Sequence, residues 1–421
     1  MNPGRESRRA RDPLRLLAWI GPEIVAAASD NDPTNVGTAT AVGASTAYQL
    51  SWVAILVGPL LAVVQAIAAQ LGVVARADLQ TMTLKRYGPR MAGVLLVSIV
   101  AVNVVTIAAD LQAGAAGIGL LAGVDPRWPV LPLGLALAGL LLLGKYDEVV
   151  AVLRYLLLGF LAFPGAAMLA HPDWPSLLKG SLVPALPLRP TALAGALALL
   201  GTTLTSYVYV WETIERGVED PPDDNPPGRR LARARVGAVV GAVLTAVILW
   251  SMLVTSAATL GRRHQTAATA QQAAQELRPL AGSLAAELFA VGLITSAVVA
   301  LPVLMATTAY IVGAQFDWRR GLSEGIRPAR RFYAVLGASI ALAVAVALSG
   351  VSLIGMLVAA SLIAGFATPI GLAVLVRLAR DPEVMGELRI TARLAGAGWA
   401  VTVIVGGLGV LYAVGAAAGK F

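Results

Sequence analysis

The run Ser29-Asp30-Asn31-Asp32-Pro33-Thr34-Asn35 interrupts an apolar stretch that extends over residues 16–47. Its flanks Ile24–Ala28 and Val36–Val42 are each too short to cross a bilayer core, which takes about 20 helical residues. Read together they form one membrane span with a polar break at its middle. No lipid-facing helix tolerates acids at that depth. Pro33 lacks the N–H that would continue a helix, and the carbonyls it frees need a partner that a bound cation can supply. Carboxylates and open carbonyls in an unwound helix therefore predict a cation site. A basic tail leading into an apolar run also has the outline of a secretory leader, but Gly21-Pro22-Glu23 within that run argues against cleavage.

The rest of the chain supports a membrane setting. Of 421 residues, 57% are hydrophobic and only 13% charged, which excludes a water-soluble globule and with it the soluble enzyme classes. There is no cysteine, so disulfides, zinc–thiolate centres and cysteine nucleophiles are absent. A net charge of +8 would suggest nucleic acid in a soluble protein; here the basic residues lie between apolar runs, and no nucleic-acid partner is expected. The fold expected is an all-α polytopic membrane protein of about eleven spans: 16–47, 51–75, 92–121, 128–144, 149–170, 191–214, 236–260, 284–314, 333–350, 353–378 and 393–418. With the N-terminus inside, 25 of the 32 Lys and Arg fall on the cytoplasmic side, so the positive-inside rule predicts a cytoplasmic N-terminus and an extracytoplasmic C-terminus in the plasma (inner) membrane.

A second interruption follows at Gly201-Thr202-Thr203-Leu204-Thr205-Ser206-Tyr207, in the sixth span. Gly and consecutive hydroxyl residues weaken a helix and can offer oxygen to a ligand, though they also suit helix packing. Since the sixth span lies five after the first, spans one to five and six to ten would re-enter the membrane from opposite sides. Paired broken helices in such inverted repeats point to a transporter's midplane site. The expected organisation is a cytoplasmic tail (1–15), a first repeat (16–170), an external loop (171–190), a second repeat (191–378), and a cytoplasmic loop with a last span (379–421).

Asp32-Pro33-Thr34-Asn35 resembles the Asp-Pro-Gly-Asn signature of the Nramp divalent-metal transporters. The resemblance continues through Val42-Gly43-Ala44-Ser45, Tyr48-Gln49-Leu50-Ser51-Trp52, Gln65 and Leu71–Leu79. Asp110-Leu111, Trp174 to Pro187 and Gly201-Thr202-Thr203 also fit, and the likeness weakens after residue 320. It implies a LeuT-like inverted repeat of five plus five helices with helices 1 and 6 broken, no resident cofactor, a divalent metal ion as substrate and the lipid bilayer as partner.

Departures from the family pattern sharpen that implication. Where the family carries Met-Pro-His, this chain has Thr205-Ser206-Tyr207, so a soft thioether is replaced by a hard hydroxyl. The two histidines, His171 and His264, fall in expected external loops and supply no midplane ligand. Three residues after Asp110, where the family has a proton-handling acid, stands Ala113. Together these changes resemble the Nramp-related magnesium transporters and imply uptake of partly hydrated Mg2+ without proton coupling. A proton-coupled Mn2+ importer of Nramp type and a sodium-coupled organic-solute transporter of the same fold are the alternatives. No nucleophile–base pair or Gly-rich phosphate loop suggests an enzyme.

Asp32 and Asn35 are the expected metal ligands, or else the cap of the second half-helix. Thr202 and Thr205 would contribute carbonyl or hydroxyl oxygen, with helix packing as the other role. Ser361 in span ten stands where the family often has a polar site residue. Asp30, Asp110 and Glu212 are intramembrane or near-membrane acids on a possible ion pathway; Glu212 would line an inner exit or pair with an Arg. Tyr207, Tyr209 and Trp211 read as packing aromatics.

Overall fold

The computed structural model describes residues 30–143, 157–219, 227–261 and 270–418. The first half of the leading span, the start of the fifth expected span (149–156), the Pro-rich stretch from Pro221 to Pro226 and His264 lie outside the described residues. All regular structure among the described residues is helical.

Helix α1, Pro33–Thr46, starts where the sequence breaks: Pro33 occupies its first turn, where a missing N–H costs nothing, and the Asp32 carboxylate accepts from the Asn35 N–H at 2.7 Å. α2 is Ser51–Ala75 and ends at Arg76 in the left-handed region. α3 runs over Leu79–Ala122, 44 residues, so most of the segment between the second and third expected spans is helix. The reason is local: Asp78 accepts from the Thr81 N–H at 2.8 Å and starts the helix early. Gly88, at φ +80°, followed by Pro89, then bends it without ending it.

α4, Val130–Leu143, carries Pro132 in its first turn and is shorter than the expected span. A 3₁₀ turn at Leu157–Leu161 leads into α5, Ala162–Leu169. The stretch 171–190, expected as a loop, holds a nine-residue helix, α6, Trp174–Leu182, with Pro175 in its first turn. The second interrupted span divides into α7, Pro190–Thr203, and α8, Ser206–Ile214, which continues through a π turn at Glu215–Glu219. α9 is Pro227–Thr259 and α10 is Ala270–Gln315, both extending well before the apolar runs that announced them. α11 (Arg330–Leu348), α12 (Leu353–Arg380), the short α13 (Pro382–Met385) and α14 (Ala392–Ala417) complete the chain.

Among the described residues eight helical stretches are long and apolar enough to cross a membrane, counting α7 and α8 as one; α4 and α5 are shorter apolar helices, and α1 is the described half of the first span. That agrees with the eleven segments read from the sequence. The apolar window of the α7–α8 span is 94% buried and that of α14 only 22%, so the broken helix is central and α14 meets lipid. α10 packs along α3 and α9 along α1 and α2. Gly201 lets α7 lie directly on α12: a Cβ there would overlap the Gly365 backbone and crowd the Ser361 carbonyl.

Outside the apolar spans, Arg86 on the early turns of α3 clasps Asp381 at 2.5 Å, and Arg320 meets Asp78 at 3.0 Å. Hydrogen bonding to Arg86 holds the Asp381 carboxyl below the usual carboxylate range.

Candidate cation site between two broken helices

Asp30, Asn31 and Asp32 form a non-helical strip with almost no solvent exposure, and every polar group in it must find a partner inside the protein. Asp32 Oδ1 caps α1, while Oδ2 accepts from the Tyr207 hydroxyl at 3.1 Å. Asn35 bridges the two breaks. Its Nδ2 donates to the Asp30 carbonyl, and its Oδ1 accepts from Thr203 Oγ1 at 2.9 Å at the end of α7.

Three further helices hold the strip and the start of α1. On α3, Asp110 Oδ1 accepts from both the Thr34 N–H (2.9 Å) and the Thr34 hydroxyl (2.7 Å), placing a carboxylate at the positive end of α1. On α9, Thr245 Oγ1 accepts from Asn31 Nδ2 at 3.1 Å; on α10, Ser296 donates to the Asn31 carbonyl.

The second break consists of Leu204 and Thr205. Thr205, in extended conformation (φ −58°, ψ 149°), occupies the cap position of α8 but makes no side-chain capping bond. Near the breaks, several buried oxygens have no hydrogen-bond partner: both carboxylate oxygens of Asp30, Asp110 Oδ2, Thr202 Oγ1 and Ser206 Oγ. Native interiors seldom leave such atoms unsatisfied without a role for them. Among the described residues no three His, Cys, Asp or Glu side chains converge as a metal-holding group. Any cation at the breaks would therefore meet few full charges, and amide, hydroxyl and carbonyl oxygen for the rest.

The expected site residues separate into two sets. Asp32, Asn35, Asp30, Asp110, Thr202 and Thr205 all lie in or beside the breaks. Ser361 is buried but sits one helical turn away from Asn35 along α1, with its Oγ 2.5 Å from Thr38 Oγ1 and bonded to the Leu357 carbonyl. Glu212 pairs with Arg216 at 3.0 Å, one turn on in the same helix. Asp32 does act as a helix cap, through one oxygen only.

Tyr207, read from sequence as a packing aromatic, belongs with the break: it is fully buried and its hydroxyl binds Asp32. A buried tyrosine needs a partner, and its place at the end of the second interrupted stretch was the available signal. Thr34 and Thr203 flank residues already singled out. Thr245 and Ser296 could not have been found, because single hydroxyls inside apolar helices are common packing residues.

A family model described as natural resistance-associated macrophage protein-like, Nramp, matches residues 23–414. The chain is 28% identical over 397 residues to the divalent metal cation transporter MntH of Deinococcus radiodurans, covering 93% of this chain and 88% of that protein. It is likewise 28% identical over 399 residues to the MntH of Burkholderia ambifaria, covering 93% and 87%. A crystal structure of a manganese transporter from Eremococcus coleocola superposes with a TM-score of 0.76 at 19% identity, covering 94% of this chain and 85% of that one. Mhp1, a nucleobase-cation-symport-1 family transporter, superposes at 0.61 and 13% identity over 93% and 90%. At such identities the structural likenesses establish the fold, an all-helical LeuT-like arrangement.

Proposed function

The chain belongs to the Nramp family, and on that premise we propose that it transports divalent metal ions across the plasma (inner) membrane, with partly hydrated Mg2+ as its principal cargo and without coupled protons. Its relatives are named as transporters, not enzymes. The observation that carries the magnesium reading is the donor set at the breaks. Asp32, Asn35, Thr202 and Thr205 present oxygen alone, and the Met-Pro-His of the resembled pattern is Thr205-Ser206-Tyr207.

Oxygen donors suit Mg2+, Ca2+ and Mn2+, whereas thioether and imidazole favour softer ions. Magnesium dehydrates reluctantly and is usually held through one or two carboxylates with several waters retained. One charged ligand, Asp32, with the neutral oxygens of Asn35, Thr202 and Thr205 matches that demand. Alternating access would move the two five-helix repeats about this site, with the N-terminus cytoplasmic and the C-terminus extracytoplasmic, and no resident cofactor is required.

The absence of coupling rests on Ala113, which stands where the resembled family has a second acid, and on Asp110, whose Oδ1 is engaged by Thr34. One observation favours the rival reading of a proton-coupled Mn2+ importer: Asp110 Oδ2 is buried and has no hydrogen-bond partner, leaving an oxygen available to a proton or an ion.

Thermal unfolding of the purified protein separates the readings. A ligand present at a hundredfold its dissociation constant stabilises the folded state by about 2.7 kcal/mol. Stabilisation by millimolar Mg2+ supports the magnesium reading. Stabilisation by micromolar Mn2+ with none by Mg2+ supports the manganese importer, and a response to amino acids with sodium but to neither metal supports a solute transporter.

A further inference from the structure

The chain between α10 and α11 forms a basic cup where two membrane-length helices end. A cavity of about 310 Å3 is lined by Arg319, Arg327, Arg330 and Arg331, with Trp318 and a single acid, Asp317. The arginines have few competing partners. Arg319 stands 3.9 Å from Glu324 at an exposed rim. Arg331 lies over the Trp318 ring, 5.4 Å from its centroid, and that ring stacks on Phe316 at 5.2 Å. Arg320, the neighbour in sequence, is instead engaged by Asp78 and takes no part.

Two features orient the cup toward an anion. α11 is 19 residues long and opens at the cavity with Arg330 and Arg331, and no side chain caps its first turn. Its first-turn N–H groups and dipole add positive potential to a cavity already lined by four arginines. No lysine occurs in residues 316–331. Arginine's planar fork matches tetrahedral phosphate oxygens two at a time, which a lysine ammonium does not.

We propose that this cup binds a phosphate-bearing anion. A volume of about 310 Å3 suits a phosphorylated headgroup or a small phosphate ester. Phe316, stacked on Trp318, and Ile326, next to Arg327 in the chain, are 57% and 46% exposed, and exposed apolar side chains beside the cup suit the hydrocarbon beneath a lipid headgroup. A phosphate presented by the bilayer is thus the favoured source, with a soluble phosphate ester as the other.

The full-length protein, purified and reconstituted into nanodiscs, allows both sources to be tested. Native mass spectrometry would count lipid retained from bilayers of phosphatidylcholine alone or mixed with phosphatidic acid, and inorganic pyrophosphate would be titrated into protein held in neutral detergent. The variants are R327Q with R330Q, and R319Q with R331Q; R389Q with R393Q is the control at another exposed basic stretch. Gel filtration confirms that each variant is folded.

The expected result is preferential retention of phosphatidic acid, reduced about tenfold by either pair in the cup and unchanged in the control. Pyrophosphate binding that is lost in the same variants, without lipid preference, assigns the cup to a soluble phosphate. Equal binding by wild type and both folded variants overturns the proposal, as does wild-type protein that prefers neither phosphatidic acid nor pyrophosphate.

Discussion

At the first break, Asp30, Asn31 and Asp32 bring two carboxylates and an amide into the membrane interior and tie them to four other helices. At the second, Leu204 and Thr205 bring no charge, no capping bond and no lateral anchor of comparable extent. Yet the two occupy corresponding places, the first and sixth spans of the chain. On the proposed reading, one break would supply the charge that draws a cation and the other the neutral oxygen that sets which cation fits. Charge in a membrane interior is costly, and it is gathered at the first break, where Tyr207 and Asn35 hold Asp32 and Thr34 holds Asp110 of α3. Selectivity can then vary at the second break without disturbing that strip.

The largest effect should come from removing charge at the first break. Asp32→Asn retains an oxygen able to cap α1 but loses the carboxylate, and divalent-ion uptake should be abolished. Asp32→Ala should add the loss of a cap, worth about 1 kcal/mol, to the same outcome. Uptake assays paired with thermal melts check both. Normal uptake by a folded Asp32→Asn protein would show that the first break is a cap alone.

Next in size is the contact joining the breaks. Tyr207→Phe deletes the hydroxyl that orients Asp32 Oδ2, and a hydrogen bond to a charged group is worth about 1.5–3 kcal/mol. Metal affinity measured by titration calorimetry should fall by an order of magnitude or more while the fold survives. An unchanged affinity would mean that the two breaks act independently.

A change confined to the second break should alter preference more than strength. Thr205→Met introduces a thioether, which should strengthen binding of Mn2+ or Cd2+ and weaken Mg2+ by filling space needed for retained water. A shift of about tenfold in the ratio, ~1.4 kcal/mol, is expected in competition uptake. A uniform loss for both ions would instead indicate overpacking against a neighbouring helix, which costs about 1–3 kcal/mol.

The smallest effect sharpens the comparison from outside it. Asp381 is charged too, but it faces Arg86 beyond the apolar spans, and Asp381→Asn should lower the melting temperature slightly without changing uptake. Because Arg86 holds the Asp381 carboxyl below its unfolded value of about 3.9, this stabilisation is present above that pH and disappears as pH falls through the folded value. Melting curves of the two proteins should therefore differ at neutral pH and converge in acid.

How far the sequence could be read follows the same division. The first break was legible as an interruption ahead of Pro33, since Asp-Asn-Asp-Pro inside an apolar run cannot continue a membrane helix. The second was legible as an interruption, and Tyr207 within it was not assigned its role because a tyrosine in a membrane helix is usually an interface or packing residue. Asp78 showed a rule overlooked: its cap on Thr81 turns an expected loop into the first turns of α3. For Ser361, position along α12 does not reveal that its hydroxyl faces Thr38 on α1. Thr245 and Ser296 needed the packed helices, for nothing in their own neighbourhoods marks them.

The central claim is that a break carrying charge and a break carrying only hard neutral oxygen together make a magnesium site. Proteoliposomes containing the wild-type chain and an internal pH dye test it most directly, with Mg2+ and Mn2+ supplied in competition. Mg2+ uptake at millimolar concentrations, down its electrochemical gradient and with no acidification of the lumen, is the expected result. Preference for Mn2+ over millimolar Mg2+, accompanied by a stoichiometric proton influx, would contradict it.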